Sequence, residues 1–291
     1  VITTDVMDPF SFKTTKRENM ETTVRFIANE FDAVAKSGIL PDTWDAANYG
    51  RITRGAALAY KARTLLYGAS PLYKELGSTV TWQEAADAAN DLISLNLYQL
   101  YYSSEGNTKN YRRMFNTRVN GETILQYLRD DNNDLYNCFP SEDGWNLNKE
   151  GGTSPSQALI DSYDMADGSE PITGYEADNI TPIINTASGY SETNPYQGRD
   201  PRFYQTILYD GATWPLVNGT VNKKLDLSKT MRWVSGYYLV KYLDDRVDHM
   251  KSGETSMNFQ MMRYAEVLLN YAEAINEAAD NATNRALAVA K

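Results

Sequence analysis

ITRGAALAYKARTLLYGAS, residues 52–70, is the stretch on which the fold turns. Thr53 stands where a helix N-cap belongs, with a hydroxyl able to accept one of the backbone N–H groups that a first turn leaves unbonded. Behind it, Ala56, Ala57, Tyr60, Leu65, Leu66 and Ala69 form a wide apolar stripe at helical spacing. Ala56, Ala57, Ala59 and Ala62 carry so little side chain that a neighbouring helix can approach closely. Pro71 limits continuation, because the residue before a proline is pushed away from the helical region. The pattern predicts a helix over 52–70 with a face made for another helix.

Suitable neighbours lie on both sides. Over 18–37, Met20, Val24, Ile27, Phe31 and Val34 alternate at spacings of four and three, and Gly38 and Pro41 mark the stop. Over 81–95, Thr81 and Glu84 make a capping box, and Trp82, Ala85, Ala86, Ala89, Leu92 and Ile93 face inward. The matching small-residue faces predict that 52–70 and 81–95 pack as an antiparallel hairpin with Ala57 and Ala89 inside. This is the style of a tetratricopeptide pair, although the full consensus is absent. Helical spacing returns over 259–279 through Met262, Ala265, Leu268 or Leu269, Ala272 and Ile275, and a further helix begins at Ala282.

The middle, 101–258, reads differently. It is rich in Asn, Asp, Gly, Ser, Tyr and Trp. Ile124–Leu128, Tyr204–Tyr209 and Tyr237–Tyr242 read as short strands, and Ser156–Tyr163 as a short helix with Pro155 near its first turn. Long loops in a compact domain usually carry function. The expected fold class is therefore mainly α: a tetratricopeptide-like scaffold, 18–100 and 259–291, around a loop-rich insert with short strands at 101–258. All 291 residues are read as one domain.

Composition narrows the function. The net charge of −10 disfavours nucleic-acid phosphates and anionic membrane surfaces. Aromatics reach 12%, led by 21 Tyr, and flat rings with polar rims suit stacking on sugars. The single cysteine, Cys138, excludes an intrachain disulfide and a multi-cysteine zinc site, and the single histidine, His249, excludes mechanisms needing two imidazoles. No run of 18 apolar residues is present, and the first residues have neither the basic start nor the apolar core of a signal peptide.

Several chemical motifs fail on inspection. Asp130, Asn132 and Asp134 fit the first positions of a calcium loop, but its required Gly is Leu135 and its closing Glu is Ser141, so a solvated turn is expected. Asp244, Asp245, Asp248 and His249 could in principle ligate a metal, yet read as a polar turn. No nucleotide loop, serine-hydrolase elbow or zinc-protease helix occurs. Sequons at Asn179, Asn218 and Asn281 are short enough to arise by chance.

A series of segments, in order, resembles the SusD/RagB family of outer-membrane nutrient-binding lipoproteins. Residues 51–73, RITRGAALAYKARTLLYGASPLY, resemble its helix-opening motif. Trp82–Ala86 and Leu97–Leu100 are similar to the next helix and its exit, and Gly121–Ile124 to a short strand entry. Residues 154–168, SPSQALIDSYDMADG, resemble its middle motif, Asp200-Pro201-Arg202-Phe203 its Asp-Pro-Arg motif, and 261–277, MMRYAEVLLNYAEAINE, its late helix. The resemblance implies cell-surface binding of oligosaccharides without catalysis or cofactor, and delivery to a SusC-like TonB-dependent outer-membrane transporter. Family members are longer at both ends, so a lipid-anchored start and a C-terminal part are expected outside this sequence. A helical glycoside hydrolase, a peptide adaptor and a peptide-binding member of the same family are the alternatives.

The resemblance transfers no ligand contact. Candidate stacking rings come instead from local sequence: Trp145, Tyr190, Tyr196, Trp214 and Trp233 all lie in the insert near Gly, Asn, Pro or Ser. Such neighbours favour exposed, loop-borne rings. The competing role for each ring is to plug a gap beneath a loop.

Overall fold

The structure, a computed structural model, describes residues 16–129, 154–229, 235–248 and 258–290. In chain order the first elements are α1 (Met20–Lys36), α2 (Arg54–Ala69), α3 (Pro71–Glu75), α4 (Trp82–Ile93), α5 (Asn110–Asn116) and β1 (Thr123–Tyr127). There follow α6 (Gln157–Asp161), β2 (Ile172–Tyr175), β3 (Pro182–Ile184), α7 (Pro201–Thr206), β4 (Ile207–Leu208), β5 (Thr213–Val217) and β6 (Thr220–Lys224). The chain continues through β7 (Tyr238–Leu239), β8 (Phe259–Arg263), α8 (Tyr264–Ala278) and α9 (Ala282–Val289). The described residues of Val1–Leu100, Val119–Leu128 and Phe259–Lys291 form one compact unit, and those of Tyr101–Arg118 and Arg129–Asn258 form another.

The first unit is helical. α1 packs on α2, α2 on α4, α4 on α8 and α8 on α9. Contacts fix the directions of the first three. Gly68, near the end of α2, faces Val24 of α1 and Val80 before α4, whereas Lys61 in mid-helix pairs with Asp32 (2.7 Å) and Asp91 (3.0 Å). Both neighbours of α2 therefore run antiparallel to it, and for α4 this is what the alanine faces predict. Ala57 and Ala89 are buried among Ala56, Ala59, Ala62, Ala85 and Ala86. At Gly68 a Cβ would sit 2.8 Å from Val24 Cγ1, so the helices are as close as the residue allows.

The caps fall where the sequence places them. Thr53 accepts from Ala56 N–H, and Thr81 with Glu84 completes the capping box on α4. On α1 the buried residues are Val24, Ala28 and Ala35, while Ile27 and Val34 lie at the exposed edge of the expected stripe.

The expectation of helix from 259 is corrected. Phe259–Arg263 is strand β8, pairing antiparallel with β1 and placing Met262 opposite Leu125. Glu122 carries α8 onward: its carbonyl accepts from Tyr264 N–H at 2.8 Å and its carboxylate pairs with Arg263. Arg63 of α2 locks the same corner, holding both oxygens of Glu266 at 2.6 Å and the Met261 carbonyl at 3.1 Å.

Among its described residues the second unit has short elements and two small cores. One gathers Leu208, Trp214, Val217, Leu225, Tyr238, Val240 and Leu243; the other gathers Ile160, Phe203, Ile207 and Tyr237. Tyr204–Tyr209, read from sequence as a strand, is instead the end of α7 running into β4. The cause is Asp200-Pro201: proline fixes the first helical turn, Asp200 caps it through Arg202 N–H, and Arg202 returns to grip the Asp200 carboxylate at 2.9 and 2.7 Å. Phe203 is thereby driven fully into the core.

Candidate functional site

Arg199 organises the aromatic side of the second unit. It is 2% exposed, and its guanidinium donates to the carbonyls of Pro195 (2.9 Å), Ile160 (2.6 Å) and Tyr163 (2.7 Å). The rings of Tyr190 and Phe203 lie over it at 5.5 and 5.3 Å. Tyr196 stacks on Phe203 with centroids 6.1 Å apart and leans on Tyr209 at 4.1 Å. Burial raises the Tyr190 hydroxyl above its ordinary value, and burial together with the Tyr237 hydroxyl does so for Tyr196. Both phenols therefore stay neutral and can donate as well as accept.

Beside this cluster is a cavity of about 180 Å³, walled by Tyr204, Tyr209 and Trp214, with Lys109, Arg112 and Asp245 among its polar lining. Asp245 faces Lys109 at 3.1 Å, Arg112 at 3.5 Å and Arg113 at 2.7 Å. Burial pushes the Asp245 carboxyl up, but the three cations outweigh it and hold it below the usual carboxylate range. Asp244 behaves likewise, burial being outweighed first by Arg246. The polar turn expected here is present, with Val247 N–H bonding the Asp244 carbonyl at 3.2 Å, but its carboxylates are buried in an ion-pair network. Asp248 accepts the Asn218 N–H at 2.8 Å and serves the β5–β6 turn. Among the described residues no group of three His, Cys, Asp or Glu is placed to hold a metal ion.

Of the five rings proposed from sequence, the structure brings Tyr190 and Tyr196 together around Arg199 and Phe203. Trp214 is corrected. It stands on strand β5 rather than on a loop, 2% exposed, with the Arg112 guanidinium 4.9 Å from its ring. Asn218-Gly219 turns β5 back onto β6, both residues having positive φ, and strand alternation sends Trp214 inward. Trp145 and Trp233 lie outside the described residues, as do Cys138, His249 and the calcium-like stretch from Asp130.

Tyr209 was missed because it was read only as a strand end, and Arg112 and Asp245 because nothing local joins residues so far apart in the chain. The Asn218-Gly219 pair was a usable signal for the hairpin that places Trp214.

The sequence profile of the SusD family matches residues 89–290. The chain belongs to the SusD family. Solved SusD-like structures agree in fold. A SusD-like protein of Bacteroides fragilis superposes with a TM-score of 0.68 at 25% identity, covering 95% of this chain and 54% of that one. A SusD-like carbohydrate binding protein of the same species gives 0.66 at 21% identity, covering 95% and 50%. This SusD-family chain thus spans about half the length of the solved structures it matches. No curated protein matches it. The mainly α architecture is that of the family, and no helix among the described residues is long and apolar enough to cross a membrane.

Proposed function

We propose that this chain binds oligosaccharides at the cell surface without cleaving them and passes them to a SusC-like TonB-dependent outer-membrane transporter. Its site is the cavity of the irregular unit. The observation that carries this reading, within a SusD-family chain, is the joining of aromatic walls to charged groups at Tyr204, Tyr209, Trp214, Lys109 and Asp245. Aromatic faces desolvate the C–H side of a sugar ring, while charged groups fix its hydroxyls. The size suits one ring, so affinity accumulates over several contacts along a chain. Weak multi-point binding fits a protein that must release its ligand onward.

The transporter is a partner rather than a template for the site. At this cavity, hydrolysis is disfavoured by the carboxylates on hand. A glycosidase acid needs a raised pKa, whereas Asp244 and Asp245 are held low by arginines.

The test is isothermal titration against a panel of neutral oligosaccharides, followed by chromatography after prolonged incubation. Tyr209→Ala is expected to weaken binding by roughly tenfold or more, and Tyr209→Phe to retain it. Binding unaffected by Tyr209→Ala sinks the site, and new reducing ends sink the binding-only reading.

A further inference from the structure

The helical unit has its own cavity, of about 250 Å³, lined by none of the five rings chosen from sequence. It lies where the loop before α2 meets the chain entering β1. Trp44, Tyr49 and Tyr98 form its aromatic wall, and Arg51, Asn120 and Gln126 are among its polar lining. These groups are held in place. The Trp44 indole N–H donates to the Ile52 carbonyl at 3.0 Å, which fixes the ring, and the Gln126 amide donates to the Tyr49 hydroxyl. Tyr98 lies so close to α2 that a Cβ at Gly55 would overlap its hydroxyl. Burial raises the Tyr98 pKa, so this hydroxyl remains a neutral donor.

The charges are unequal. Asp42 is already neutralised by Arg54 at 2.7 Å. Arg51 is exposed, its guanidinium 5.8 Å from the Trp44 ring centroid, and it makes no ion pair among the described residues. On a chain of net charge −10, this pocket therefore carries a surplus positive group beside a flat aromatic face. Its volume is below the ~300–1,000 Å³ of sites for drug-sized ligands, so it admits one ring rather than a chain.

We propose that this cavity is a separate subsite for a single pyranose ring bearing a carboxylate, that is, a uronate unit of an acidic oligosaccharide. The proposal rests on the reading of the chain as a glycan binder, and adds a second location and a charge class. Trp44 supplies the stacking face, Tyr98 and Gln126 meet ring hydroxyls, and Arg51 pairs with the carboxylate. The same pairing explains why a neutral ring would bind more weakly here: it leaves the guanidinium uncompensated.

The experiment is titration of the whole chain with oligomers of galacturonate, glucuronate and mannuronate, each beside its carboxyl-reduced form at equal ionic strength. At least one acidic oligomer is expected to bind about tenfold tighter than its reduced form, and Arg51→Gln to abolish that difference. Trp44→Ala is expected to lose both forms at this site, with circular dichroism confirming that the helices persist. Neutral glycans bound with no acidic preference overturn the inference and leave the glycan reading standing. An acidic preference that survives Arg51→Gln, or that disappears in Tyr209→Ala and persists in Trp44→Ala, also overturns it. Failure of every glycan, neutral and acidic, overturns both readings.

Discussion

The two units solve the same problem in opposite ways. In the helical unit the backbone bonds to itself, so the core is free to be Ala56, Ala57, Ala59, Leu65, Leu92 and their like, packed at close range. In the irregular unit long stretches of backbone have no ladder, and side chains take over the task. Arg199 serves three carbonyls, Arg112 the Tyr204 carbonyl, Asn116 the Tyr242 carbonyl and Gln205 the Arg112 N–H. The buried charges of this unit are thus substitutes for secondary structure. Where regular elements are scarce, polar residues move inward because the main chain needs them.

The sharpest way to break this comparison is Arg199→Met, which keeps bulk and removes the donors. Leaving buried carbonyls unpaired is expected to cost about 3 kcal/mol or more, read as a shift in the urea midpoint. A loss below about 1 kcal/mol would mean that Arg199 merely fills space. In the helical unit the sensitive quantity is distance. Gly55→Ala is expected to destabilise by about 1–3 kcal/mol through overlap with the Tyr98 hydroxyl. Tyr98→Phe in the same chain should recover part of that loss by removing the overlapping atom. The double-mutant cycle reads the coupling directly.

The smallest expected effect is acid-dependent and local to the helical unit. Glu21 is held at about 2, chiefly by the backbone N–H and hydroxyl of Thr79 and then by Arg25. A carboxyl lowered on folding stabilises fully above its unfolded value near 4.5, and that stabilisation is lost as the pH falls towards 2. Thermal melts between pH 5 and pH 2 should therefore fall more steeply in the parent than in Glu21→Gln. Identical slopes would remove Glu21 from the acid response.

What could be read from sequence followed the same division. Helices whose caps and faces are local, such as Thr53 with 54–69 and Thr81 with Glu84, were legible to within a residue or two. Strand β8 was not, because Met262 continues the apolar rhythm of α8 and only its partner Leu125, far back in the chain, makes it extended. Asp245 read as part of a polar turn because the arginines that pair with it, Arg112 and Arg113, lie far back in the chain on α5. Trp214 was misplaced although Asn218-Gly219 announced a hairpin four residues on. For the sites, the same rule that favoured rings near Gly, Asn or Pro fits Tyr49, which stands between Asn48 and Gly50. It had been applied only to the insert.

The division of the helical unit into separated stretches of chain has a consequence for the timing of synthesis. α4 ends at Ile93, and its packing partner α8 begins at Tyr264, roughly 170 residues later. At ~5–20 residues per second the ribosome takes roughly ten to thirty seconds to supply it. Through that interval the nascent α1–α4 stack carries an uncovered apolar face on α4, and the irregular unit is made in the meantime. Closure of the helical stack is therefore a late event, and a chaperone that shields small apolar helix faces has its longest window on this segment.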